Sequence, residues 1–233
     1  MSRAVCVAKL SPLVTMSVGV GLATGLYGIS FGALSVAAGL TIWQTQVLSL
    51  LMFSGGSQFA FIGVIAGGGS ASLGAAIVSA WLLGVRNGFY AVRLAPILKL
   101  TGMHKLIPAL LTIDESTAVS TAQQEVASQR TGFWLTGASV FVFWNGMTLV
   151  GAIIGNTLGD PRHWGLDAAA AAAFLALLWP RLRERQALAV AALAFLIAVL
   201  TSPILPAGLP VIVAGASALL IGGLNLFEKR AAQ

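Results

Sequence analysis

The sequence predicts an all-α polytopic membrane protein with about eight transmembrane helices, alternatively seven, some of them broken or short. Three observations carry that prediction. Apolar runs repeat along nearly the whole of the 233 residues, which are 58% hydrophobic. Only 9% of the residues are charged, against roughly 25% in soluble domains. Ionisable groups nevertheless stand inside the apolar runs: Asp114 and Glu115 are flanked by long apolar spans, and Arg86 lies near the middle of another. A bilayer makes charge costly, so groups at such depth face a cavity, a partner charge or a substrate. That pattern points to transport.

The spans can be justified in order. Arg3 and Lys9 precede an apolar run that continues past residue 35 without a cleavage signal, so it reads as a retained first span rather than a signal peptide. Ser11-Pro12 is a plausible helix start, and the span runs to about Gly39. Gly21/Gly25 and Gly28/Gly32 are four apart, the spacing that lets helix backbones approach in lipid. Thr41-Ile42-Trp43-Gln44 fits a capping box and opens a second span to about Gly67. In its middle, Ser54-Gly55-Gly56-Ser57-Gln58 is poor continuous helix. It is read either as a break facing a cavity, with Ser54 or Ser57 capping a half-helix, or as small residues packed on a neighbour.

Gly67-Gly68-Gly69-Ser70 makes a tight turn into a third span over 71–98. At 1.5 Å per residue that is ~42 Å, longer than a ~30 Å hydrocarbon core. Arg86, Tyr90, Arg93 and Ile97 share one face of it. A fourth stretch covers 106–122, and further spans are expected at 133–156, 166–179, 187–201 and 209–226. The short pair 166–179 and 187–201 is either tilted or re-entrant, and the layout leaves room for an inverted repeat. If 106–122 crosses and the N-terminus is cytoplasmic, Arg3, Lys9, Arg130, the Arg181–Arg185 cluster, Lys229 and Arg230 fall inside, and Lys99, Lys105 and Arg162 outside. The positive-inside rule thus favours eight crossings over seven. The whole of 1–233 is expected to form one integral membrane domain.

Composition excludes several functions. The net charge of +6 is scattered or sits at span ends, which argues against nucleic-acid binding. The lone Cys6 rules out an intramolecular disulfide, and His104 and His163 lack ligand spacing, so no metal or cofactor is expected. There is no nucleophile motif, P-loop or dinucleotide fingerprint, so an enzyme is not expected. Without ATP hydrolysis, uphill movement must draw on an ion gradient or another protein.

Chemistry is left to a few polar residues. On a straight helix Asp114 joins Thr117, Thr121 and Gln124, whereas Glu115 turns into an apolar sector with Leu111 and Ala118. A break relieves this: Thr112-Ile113-Asp114-Glu115 fits a capping box, with Glu115 structural and Asp114 the freer acid. Both acids also fit an ordinary exposed helix start. Arg86 is either a bidentate carboxylate fork or a structural partner of Asp114, the two lying on facing helices at one depth. Arg93 can snorkel. Of the 6 tryptophans, all but Trp144 lie near span ends as interface anchors.

Phe31–Leu40, Gln44, the Ser49–Ala60 string, Leu83-Gly84-Val85-Arg86-Asn87, Leu94-Ala95-Pro96, Asp114-Glu115 and Gly165-Leu166-Asp167 resemble the AzlC family over roughly residues 20 to 180. These are large subunits of branched-chain amino acid exporters. The resemblance implies a multi-pass protein of the bacterial cytoplasmic (inner) membrane, working with a small hydrophobic AzlD-like subunit. The implied substrates are leucine, isoleucine, valine or similar apolar amino acids, sometimes methionine. Where the family often has histidine this chain has Asn87, which cannot carry a proton.

The leading expectation is secondary-active export coupled to protons. Ser54, Gly55, Gly56, Ser57, Gln58, Arg86, Asn87 and Tyr90 are candidate substrate-binding residues. Asp114 and Glu115 are candidates for ammonium binding or proton coupling. The alternative is a channel or a non-transporting scaffold for a partner. The glycine ridges, including Gly151/Gly155/Gly159, are expected to leave at least one surface to dock the small subunit.

Overall fold

The computed structural model describes residues 2–157, 175, 178–206 and 209–223, which form helices joined by short turns and irregular connections. Most of the span 166–179, together with Arg162, His163, Trp164 and Lys229–Arg230, lies outside the described residues. The helices are α1 Ser2–Ala37, α2 Ile42–Leu51, α3 Gly55–Gly68, α4 Leu73–Leu98, α5 Leu106–Leu111, α6 Asp114–Thr121, α7 Val126–Thr157, α8 Arg185–Thr201 and α9 Leu209–Gly223. Among the described residues, three stretches are long and apolar enough to cross a membrane: Pro12–Ala37, Gly55–Leu98 and Val126–Thr157.

The protein is an all-α membrane protein, and α1 with α7 forms its spine. Their contacts rise together along both chains. The Thr136 hydroxyl donates to Ser17 Oγ at 2.9 Å, Gly25 meets Phe143, Gly28 meets Trp144 and Thr148, and Gly155 meets Ala33. The two helices are therefore parallel. A Cβ on Gly21 would run into Ser139, one on Gly32 into the Thr148 carbonyl, and one on Gly151 into the Ile29 carbonyl. This is close backbone packing of the kind that holds helices together in lipid. It also corrects the docking expectation. Gly21, Gly25, Gly28, Gly32, Gly151 and Gly155 face one another within this chain, so these ridges are not free surfaces; Gly159 lies outside the described residues. Helix α1 also starts earlier than Ser11-Pro12 suggested, running from Ser2 with Pro12 inside it.

Two of the expected crossings do not cross. The capping box at Thr41/Gln44 is present and starts α2, which ends after ten residues. Three residues later α3 begins and runs back. Its far end, Val64 and Ile65, packs with Ala38 and Leu40 beside the end of α1. Helix α3 then pairs antiparallel with α4: Gly56 meets Leu83 and Arg86, Gly84 meets Ser57, and Ala76 packs on Val64 and Ile65. The turn between them uses Gly69 at φ 60°. So α2–α3 is a re-entrant hairpin that enters and leaves on one face, and α4 makes the crossing.

A second hairpin enters from the opposite face. The end of α4 reaches the start of α7, where Arg130 Nε donates to the Ile97 carbonyl at 2.7 Å. From there α5 climbs until Leu111 touches Gly137. Helix α6 descends again, with Val119 against Gly132 and Ser120 Oγ donating to the Gln129 carbonyl at 2.9 Å. The stretch 106–121 therefore returns to the face where α1 and α7 begin. Parallel α1 and α7 require this: among the described segments between them only α4 crosses. The loop residues Lys99 and Lys105 then share a face with Arg130 and the N-terminus, instead of lying opposite them as expected. No lysine or arginine stands in the opposite turns 38–41 and 69–72. The opposed hairpins are the arrangement that an inverted repeat would produce. Helices α8 and α9 pack on each other, with Ser217 Oγ donating to the Val190 carbonyl at 3.5 Å, and α9 also touches α4.

Candidate functional site

Both hairpin tips reach the middle of α7. Phe53 stacks edge-on against Phe141 at 5.0 Å, and Leu111 lies on Gly137; both partners are near the centre of Val126–Thr157. Arg86 is likewise at the centre of Leu73–Leu98. Between the tips lies a cavity of about 660 Å³, lined by Thr24, Tyr27, Phe53, Ser54, Gly55, Gly56, Phe59, Leu83, Arg86, Tyr90, Ile113, Asp114, Glu115, Thr117, Ala118, Val140, Trp144 and Leu178. That volume is in the usual range for a small-molecule site, roughly 300–1,000 Å³.

The first tip follows from local sequence. Gly-Gly disfavours a continuous helix, and the chain breaks at Met52–Ser54 before α3 restarts at Gly55. Gln58 has no exposed surface. Its Nε2 donates to the carbonyls of Met52 at 2.8 Å and Ser49 at 3.3 Å, pinning the end of α2 onto the start of α3. Ser54 takes the cap position but makes no side-chain cap hydrogen bond. The first N–H groups of α3, which a helix cannot satisfy internally, are thus left at Gly55 and Gly56 on the cavity wall.

The second tip departs from the expected capping box. Thr112 Oγ1 turns back and donates to the Pro108 carbonyl at 2.7 Å. The loop is held instead by Ser116, whose hydroxyl accepts from the Ile113 N–H at 3.1 Å and donates to the Leu111 carbonyl at 2.6 Å. Glu115 is released from the capping role and lines the cavity beside the Thr24 hydroxyl. Asp114, expected to be the freer acid, is the more engaged one. Its Oδ2 is 2.9 Å from Arg86 Nη2, and its Oδ1 accepts from the Tyr90 hydroxyl at 2.6 Å. The side chains of Arg86 and Asp114 keep 37% and 40% of their surface accessible. This is a pair at half-depth that opens into a cavity, not one sealed in a dry core.

The structure therefore brings together Ser54, Gly55, Gly56, Arg86, Tyr90, Asp114 and Glu115. It does not bring Ser57, Gln58 or Asn87 to the cavity wall. Ser57 is buried against Gly84, Gln58 is a strut, and Asn87 Oδ1 is buried without a hydrogen-bond partner. The apolar wall was not foreseen. Phe59 and Trp144 form it, backed by the fully buried Phe31 with ring centroids 5.8 to 6.3 Å apart, and the Trp144 ring lies 3.2 Å from where a Cβ of Gly55 would be. The usable signal was Trp144 itself, the one tryptophan away from span ends.

This geometry combines a cation, two acids, free helix N–H groups and an aromatic wall at half-depth. The sequence comparisons bear on what it serves. Residues 19–158 match the family described as AzlC protein. The chain belongs to the AzlC family. The match spans α1 from Gly19 through α7 and so includes both hairpins and the cavity between them. A relative in Archaeoglobus fulgidus, named only as an uncharacterized membrane protein, is 35% identical over 159 residues, covering 67% of this chain and 68% of the relative. No solved structure matches the AzlC chain.

Proposed function

We propose that this AzlC protein exports branched-chain or similar apolar amino acids across the cytoplasmic membrane, coupled to the proton motive force. The observation that carries the reading is the half-depth cavity between two opposed hairpins, where Arg86, Asp114 and Glu115 face an aromatic wall. A free amino acid is a zwitterion with an apolar side chain, and it needs both charge signs and an apolar surface in one enclosure. Broken helices at the bilayer centre are where secondary transporters build such enclosures. Acids in that enclosure also offer places for a coupling proton.

The protein works, in this reading, as the large subunit beside a small AzlD-like membrane protein. Its docking surface lies away from the α1–α7 seam, which the chain fills itself. The clustering of Lys99, Lys105 and Arg130 on the face where α1 begins supports a cytoplasmic N-terminus by the positive-inside rule.

The test is export from intact cells. Cells with and without the chain and its small partner are fed Leu, Ile or Val dipeptides, and the released amino acids are followed over time. Faster release that collapses with the proton gradient supports the proposal. Release that ignores the pH gradient points to a channel, and no difference between the cells rejects transport of these substrates.

A further inference from the structure

The cavity holds two neighbouring acids in unequal situations. Asp114 is engaged at both oxygens, by Arg86 and by the Tyr90 hydroxyl. Glu115, rotated about 100° around α6, lines the same cavity, and among the described residues no cation pairs with it. Its side chain meets the Thr24 hydroxyl on α1 and lies within reach of the Arg86 charge, which Asp114 holds in the ion pair. Arg86 is the one cation among the described residues that line the cavity, and Asp114 already holds it. On the other side, the Arg86 guanidinium lies against the first turn of α3, with Nη2 2.8 Å from where a Cβ of Gly56 would be. An arginine beside a helix N-terminus is two positive features together, and an anion relieves both. Two further polar atoms on the cavity wall wait without partners: Thr117 Oγ1 and Trp144 Nε1, on side chains only 8% and 4% exposed.

We infer that Glu115, and not Asp114, receives the ammonium group of the substrate, while Arg86 over the start of α3 receives the carboxylate. Asp114 is a positioning residue that holds Arg86 at the tip of the α5–α6 hairpin. The assignment rests on the amino-acid reading above and fixes which end of the zwitterion faces which helix. The substrate then bridges α1 and α6 through its ammonium, and α3 and α4 through its carboxylate, so it ties both hairpins to the crossing helices.

The experiment uses the purified full chain in lipid nanodiscs and three probes: leucine, isocaproate, which lacks the ammonium, and isoamylamine, which lacks the carboxylate. In the wild type, leucine outbinds each half-molecule by roughly tenfold or more, the size of a charge-assisted contact. Glu115→Gln lowers leucine to the level of isocaproate and leaves isocaproate unchanged. Asp114→Asn weakens all carboxylates but keeps leucine ahead of isocaproate. Glu115→Asp, which keeps the charge, retains part of the leucine preference and checks that the site still folds. Leucine that binds the wild type and keeps its lead over isocaproate in Glu115→Gln overturns the assignment alone. A wild type that binds none of leucine, isoleucine or valine overturns the amino-acid reading, and the assignment with it.

Discussion

Gly56 lies directly beneath the guanidinium of Arg86: a Cβ added there would stand 2.8 Å from Nη2 and 3.4 Å from Leu83 Cδ2. The first turn of one hairpin thus serves as the seat of the ion pair that reaches the other. Because the obstructing atom is the end of a flexible side chain, Gly56→Ala should displace Arg86 more than it disturbs the fold. We expect export to fall roughly tenfold or more, the scale of one charge-assisted contact, with the melting temperature in detergent close to wild type. A variant that exports normally would show that Arg86 need not sit on α3.

Removing the cation itself should separate function from stability. The pair is more than a third accessible on each side, and Asp114 keeps the Tyr90 hydroxyl. Arg86→Ala should therefore cost about 1 kcal/mol or less of stability, as exposed pairs do, while abolishing export. Denaturant titration of the purified variant beside a transport assay measures both. A folding loss much larger than the pair's accessibility allows would mean that the cavity is drier than its geometry implies.

Gln58 should behave in the opposite way. It is fully buried and ties the Met52 and Ser49 carbonyls across the break. Gln58→Leu leaves both carbonyls without that donor, at a cost of about 1–3 kcal/mol. Thermal unfolding is the readout, and the loss should appear whether or not substrate is present. An unchanged melting temperature would remove Gln58 as the strut of the tip.

The hairpin topology can be read by labelling. In a Cys6→Ser background, single cysteines at Met103 and Gln124 should react with a membrane-impermeant maleimide from one side. A cysteine at Ser70 should react only from the other. Labelling of Met103 and Gln124 from opposite sides would mean that 106–121 crosses the bilayer after all.

The glycine seam gives a last expectation. A leucine at Gly32 or Gly151 would drive its Cβ into a backbone carbonyl of the facing helix, and overpacking of this kind costs about 1–3 kcal/mol or more. Gly32→Leu should lower the yield of monodisperse chain even when no partner is co-expressed. A stable variant that merely fails to hold a small subunit would restore the seam as a docking surface.

What depends on composition and on a few adjacent residues was legible along the chain. Apolar runs made the chain a membrane protein. Gly55-Gly56 marked where a break was cheap, because backbone freedom is a local property. The Thr41/Gln44 box fixed the start of α2. Arg86 and Asp114 stood out because lone charges are costly at that depth, but whether the arginine meets the acid or a substrate carboxylate was left open. Tertiary structure decided what depends on which helices touch. Whether an apolar run crosses or turns back is set by where its far end packs, and ten residues of α2 or six of α5 look alike in either case. Gly21–Gly32 and Gly151–Gly155 carry the same small-residue spacing whether they meet each other or a partner; only the parallel run of α1 beside α7 shows that they meet each other. The roles of Asp114 and Glu115 were assigned by one local event, the capture of the loop by Ser116 in place of Thr112, and by the position of Tyr90 on a helix far away in sequence. The sequence made Asp114 the freer acid; in the fold both acids line the cavity, and the 100° step around α6 gives Asp114 to Arg86 and Tyr90 while Glu115 lies beside Thr24.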